Sequence, residues 1–324
     1  MMRSAHAGLW PIFFLIAFGL GYATLNRYDP SLIEGTSDAR QYFRVVVDGP
    51  GAADEHWRSR ILVPLLATPI HRLAVGRVGS WNPVALALLV VNSAFCAAAA
   101  SLLILLAEAF GLPFSIGFVA ALAWLLNFVV ANFLLAGMVD SAEALLMIGL
   151  MLALQRQSGI ALPVLGAIGG LAKETFVPLA VLVACGWIWA GQRKRWPYVA
   201  AMGATGIAVV VLVRSTIAGT LVTPFHIVSD ELGLEGVSDI PRALLEVVRS
   251  GVTWITFLWL VPPALPGLSG LPKDAWRATA LGVIGALALV VWHDAGGNAA
   301  RPLFDVAGPL LCLAFATGTT DRFR

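Results

Sequence analysis

Hydrophobic residues along this chain come in long runs, separated by short breaks of charge, glycine or proline. The runs are too long for the helices of a water-soluble core, because crossing about 30 Å of hydrocarbon takes roughly 20 apolar residues in a helix. Bounded by Gly, Pro, Trp or charge, they predict spans near 8–25, 82–108, 113–136, 139–155, 197–214, 250–267, 276–292 and 303–318. Residues 159–190 are also apolar but are interrupted by Lys173 and Glu174. This region reads as one long kinked span or as two short spans meeting at the charged pair, and two is the preferred reading although each half is short for a span. The pattern therefore predicts an all-α polytopic membrane protein with about ten transmembrane helices, as a single integral membrane domain over residues 1–324.

Composition agrees with that reading. The chain is 59% hydrophobic and 12% charged, against about 45–50% and 25% in ordinary soluble domains. A formal charge of +2 gives no support to nucleic-acid binding. Cys96, Cys185 and Cys312 lie in apolar runs without CxxC or His-rich spacing, which argues against a disulfide framework or a zinc site. Small-residue stretches such as 97–101, Gly166 with Gly170, and Gly282 with Ala286 suit close helix packing.

Charge decides the orientation. With a cytoplasmic N-terminus the inner loops receive Arg3, Arg156, Arg193, Lys194, Arg195, Lys273, Arg277, Arg322 and Arg324, opposed only by Glu108, Asp274 and Asp321. Basic loops resist translocation, so both termini are expected in the cytoplasm and the chain in the cell's inner (plasma) membrane. The alternative that the first segment is a cleaved signal peptide rests on Arg3 before an apolar core and on the small residues around Gly21-Tyr22-Ala23. Two segments longer than connectors, 26–80 and 215–249, then face outward.

In the first outer loop, residues 37–47 read as a short amphipathic helix that Ser37 can cap. Asp38, Gln41, Tyr42 and Val45 share one face and Arg40 and Arg44 another. On local pattern alone, Asp38 is as well explained by a favourable position in a first helical turn, with the arginines in water or on lipid phosphates. The stretch from His56 turns apolar but carries Pro64 and Pro69, which fits a re-entrant helix or a plain interfacial anchor, with Trp57, Arg58 and Arg60 at headgroup level. Charges at membrane depth are costly and survive only with a partner, water or a task. They occur at Asp140 with Glu143, Lys173 with Glu174, His293 with Asp294, and Arg301 with Asp305, all on the outer side in this topology. Either they line a site, or they are staples in which Lys173 pairs with Glu143 or Asp140 and Arg301 with Asp305 or Asp294.

Several short patterns occur in an order that resembles bacterial members of the GT-C superfamily of membrane glycosyltransferases. These are Asp38-Ala39 with Tyr42 running into Gly49, the run Arg60-Ile61-Leu62-Val63-Pro64-Leu65-Leu66-Ala67, Val139-Asp140-Ser141, Ala172-Lys173-Glu174-Thr175, and Arg301 followed by Pro309. The resemblance implies a GT-C-like fold and transfer of a sugar from a polyprenyl-phosphate donor to a lipid or glycan acceptor at the outer face, with membrane lipids as surroundings and no cofactor. In such chemistry a carboxylate takes the acceptor's proton, and Asp38, or alternatively Asp29, is the candidate. Lys173 and Arg301, with Arg60 as a third, would face the departing phosphate. Tyr42, Asp140, Glu143, Glu174 and His293 complete the expected substrate-binding set. A divalent ion between Asp38 and Asp140 is conceivable but unsupported by any ligand pattern. The chain departs from the resemblance in lacking a clear acidic pair in the first loop, Asp29 being separated from Asp38 by Pro30, and in having no large C-terminal soluble domain. Competing readings are a transporter or lipid flippase, a non-catalytic scaffold of the same fold, and an acyltransferase using His293.

Overall fold

A computed structural model describes residues 2–27, 37–79, 81–189, 193–224, 240–292 and 298–321. Every regular element among them is helical. The chain runs α1 (Met2–Arg27), α2 (Ser37–Asp48), α3 (Leu62–Ala74), α4 (Pro83–Ala109), α5 (Phe114–Leu125), α6 (Asp140–Gln155), α7 (Ala161–Ala172), α8 (Phe176–Trp189) and α9 (Trp196–Ala218). It continues through α10 (Ile240–Arg249), α11 (Gly251–Phe257), α12 (Val261–Gly267), α13 (Lys273–Trp292) and α14 (Ala300–Asp321). Six segments are long and apolar enough to cross a bilayer: Gly8–Leu25, Pro83–Ala109, Trp196–Ala218, Gly251–Gly270, Lys273–Trp292 and Ala300–Thr320. Shorter apolar helices lie between them, and α4 and α14 are the most enclosed of the long ones.

The region 159–190 is two helices, not one kinked rod. A Cβ on Gly166 of α7 would fall 2.2 Å from the Met202 carbonyl oxygen of α9, and one on Gly170 would fall 2.7 Å from that of Gly206. Backbones that close tolerate only hydrogen at these positions. α7 thus runs alongside α9 in the same direction. Along α8 the order inverts, with Val177 against Gly206 and Val181 against Gly203. The chain therefore reverses at Lys173-Glu174-Thr175, and Lys173 itself has extended backbone, φ −167° and ψ 135°.

Three expected spans have different limits. The stretch 113–136 is not one helix, since α5 stops at Leu125 and a short π-helical turn follows at Val130–Leu134. Asn127 is the cause. Its side-chain oxygen accepts from Val129 N at 3.0 Å while its amide donates to the Thr256 carbonyl at 3.1 Å, diverting the local backbone from helical pairing. The stretch 250–267 bends between α11 and α12, where Pro262 and Pro263 follow a turn at Leu258–Leu260. α9 continues past 214 to Ala218 and ends on Gly219 at φ 69°, so the second long connecting segment starts later than expected, and residues 225–239 within it lie outside the described set.

The first loop packs on the bundle. α2 buries Gln41, Tyr42, Val45 and Val46 and leaves Arg40 and Arg44 exposed, the division its helical period predicts. Gln41 fastens the following turn by accepting from Asp54 N at 3.0 Å. α3 begins after Arg60, contacts α2 and α4, and leaves Leu65, Leu66 and Leu73 exposed, an apolar face suited to lipid.

Candidate functional site

Four helix ends meet in one layer, and charged side chains join them. Asp140 and Glu143 occupy the first turn of α6, where the positive end of the helix dipole favours carboxylates. Asn92 of α4 secures that turn by donating to the Met138 carbonyl at 3.0 Å and accepting from Ser141 Oγ at 2.6 Å. Lys173, at the C-terminal end of α7, places Nζ 2.7 Å from Asp140 Oδ1 and 2.9 Å from Glu143 Oε2. A cation suits that helix end for the same electrostatic reason.

The next two residues of the reversal are held as well. Glu174 accepts from Arg60 Nε at 2.8 Å, from Arg60 Nη2 more closely, and from Ser59 Oγ at 3.3 Å. Thr175 Oγ1 donates to Glu143 at 3.2 Å. All three breaking residues thus serve as ties between the α7–α8 turn, α6 and the loop ahead of α3. Arg60 also donates to the Tyr42 hydroxyl at 3.2 Å, which brings α2 into the same network. Burial, partly offset by Arg60, pushes the Tyr42 phenol up to about 12, so it stays protonated at neutral pH.

Arg301, on the first turn of α14, places Nη1 3.4 Å from Asp140 Oδ2 and its guanidinium carbon 5.3 Å from the centre of the Phe133 ring. This corrects the sequence expectation, which paired Arg301 with Asp305 or Asp294. Asp305 accepts no hydrogen bond from the described residues, and Asp294 lies outside them. Asp38 is half-buried on α2, and its charge is felt at Arg301. Of the residues singled out from sequence, Tyr42, Arg60 and Glu174 form one cluster and Asp140, Glu143, Lys173 and Arg301 another, tied together by the consecutive residues 173–175, with Asp38 acting on Arg301 through its charge. Asp29 and His293 lie outside the described residues.

No family model matches this chain, and no curated protein or solved structure matches it. Its chemistry has to be read from the residues themselves.

Three cations, Arg60, Lys173 and Arg301, face three carboxylates, Asp140, Glu143 and Glu174, so the network is neutral in sum. It is not uniform in space. The Lys173 and Arg301 side chains keep 15% and 16% of their surface, while Asp140 and Glu143 keep 2% and 1%. The accessible edge is thus cationic and the acids form its floor. Such an arrangement presents positive charge to an anion while each cation is already oriented. Among the described residues no three His, Cys, Asp or Glu side chains are grouped to hold a metal ion, and both Asp140 oxygens already face cations. Ser59 and Thr175, each beside a charged residue in sequence, are the partners that sequence reasoning passed over; their signal was adjacency to Arg60 and Glu174.

Proposed function

We propose that this chain is a membrane glycosyltransferase that moves a sugar from a polyprenyl-phosphate donor to a hydroxyl of a lipid or glycan acceptor. The observation that carries the reading is the cationic edge formed by Lys173 and Arg301, with the half-buried Asp38 of α2 acting on Arg301 through its charge. The order of motifs that resembles the GT-C superfamily supplies the reaction class. In this reading the chain crosses the bilayer ten times, the α7–α8 hairpin contributing two short crossings, and the layer of charged helix ends faces the extracytoplasmic side.

Asp38 then takes the acceptor proton as the hydroxyl oxygen attacks the anomeric carbon. The bond between that carbon and the lipid phosphate oxygen breaks, and the phosphate leaves with the electron pair. Arg301 and Lys173 stabilise the charge that develops on it. Arg60 is too enclosed to serve as a principal phosphate ligand, with a side chain 7% exposed and committed to Glu174; its part is to hold the turn that carries Lys173.

Purified chain in vesicles, given a radiolabelled sugar on polyprenyl phosphate and an envelope lipid or glycan extract, is expected to move label into a product while releasing polyprenyl phosphate one for one. Movement of the intact donor across the bilayer without any covalent product would instead establish the transporter or flippase reading.

A further inference from the structure

The charge balance of the buried layer leaves one acid over. Asp305 lies on α14 one turn beyond Arg301, with 1% of its surface exposed. Neither carboxyl oxygen has a hydrogen-bond partner among the described residues. Arg301, the cation that helical spacing would offer it, turns to Asp140 and the Phe133 ring. Lys173 is bracketed by Asp140 and Glu143, and Arg60 is bound to Glu174.

The surroundings do not compensate an extra charge. The groups whose charges act on Asp305 are Glu143 and Asp140 on α6, Lys173 at the end of α7 and Arg301 on its own helix, and Asp305 in turn acts on Cys96 of α4. The adjoining Phe304 is fully buried and stacks on Trp124 of α5 with ring centres 6.3 Å apart. Val306, on its other side, meets Gly282 of α13. A carboxylate in such a place needs a counter-charge or several donors, whereas a neutral carboxylic acid needs no counter-charge and costs far less to bury. A metal cation would require several oxygen ligands, and no group of three candidate ligating side chains occurs among the described residues.

We propose that Asp305 is a proton-binding site inside the bundle, occupied at neutral pH, set against the Lys173 network. The bound proton does more than cancel charge. Were Asp305 ionised, it would compete for Arg301, one turn away, and draw that guanidinium from the cationic edge. Proton occupancy thus fixes where Arg301 points. Burial and the charge count place the proton there whether or not the chain transfers sugar.

Infrared spectra of the full chain in lipid vesicles at neutral pH test it. The expected result is a carbonyl band of a protonated carboxylic acid that shifts in heavy water, disappears in Asp305→Asn, and is retained at a displaced frequency in Asp305→Glu. Labelling all aspartate carboxyls with carbon-13 moves the same band in the unmutated chain, which keeps the test valid if a variant fails to fold. Absence of such a band in the unmutated chain, its persistence in folded Asp305→Asn, or its loss on adding sodium at constant pH would overturn the proposal, the last by making Asp305 a sodium site.

Discussion

Lys173→Met is expected to lower the stability of the bundle by about 3–5 kcal/mol, the usual cost of removing one partner from a buried ion pair. The methionine keeps the length and apolar stem of lysine but deletes the one ammonium that lies between Asp140 and Glu143. Among the described residues Glu143 would keep the Thr175 hydroxyl, and Asp140 its 3.4 Å contact with Arg301. Two carboxylates with 2% and 1% of their side-chain surface exposed would then be left short of positive charge at the start of α6. The loss should register as a lower Tm in detergent. Adding Glu143→Gln removes the carboxylate left without a cation, keeps Asp140 opposite Arg301, and should restore most of the difference, because the remaining layer is again neutral and hydrogen-bonded. If Lys173→Met melted at the temperature of the unmutated chain, the network would not be what holds the α7–α8 turn to α6.

Under the proposed glycosyltransferase reading, Asp38→Asn is expected to slow sugar transfer about 10²–10⁴-fold, the contribution of a positioned general base. Asp38 is half-buried in the first turn of α2, and the Tm of the variant, measured alongside, separates lost turnover from lost structure. Asparagine keeps the shape and cannot take the proton, so the loss should fall on kcat, with KM for the lipid donor largely retained. Unimpaired turnover would remove Asp38 from the mechanism and turn attention to Asp29.

The helical architecture was legible because each helix carries its own evidence. Apolar run length marks the long helices, and the 3.6-residue period of 37–47 separates the buried Gln41, Tyr42 and Val45 from the exposed Arg40 and Arg44. The α7–α8 break was legible for a similar reason, since Lys173 and Glu174 cannot sit unpaired in an apolar run. The interruptions after Leu125 and Phe257 were harder to see, because hydropathy stays high across them. Their cues are single residues, Asn127 in one case and the pair Pro262-Pro263 in the other.

The pairing of Lys173 with Asp140 and Glu143 was legible as a staple between buried charges, whereas the partners of Arg60 and Arg301 were not, and the reason is distance along the chain. Arg60 and Glu174 are 114 residues apart, and Arg301 and Asp140 161. Local rules favour an i, i+4 pair between Arg301 and Asp305. Tertiary packing overrode that preference by presenting Asp140 and the Phe133 ring together. The same event left Asp305 without a partner among the described residues, which no local pattern anticipates.

The proposed mechanism requires α2 to hold Asp38 within reach of the substrate at the cationic edge of Arg301. Cysteines introduced as Asp38→Cys and Arg301→Cys, in a chain whose Cys96, Cys185 and Cys312 are replaced by alanine, measure it directly. A short bifunctional maleimide should join the two positions in intact membranes as readily as it joins the control pair Gln41→Cys and Asp54→Cys, whose native side chains are hydrogen-bonded. Linkage of the control pair alone would place residue 38 away from Arg301 and contradict the shared site.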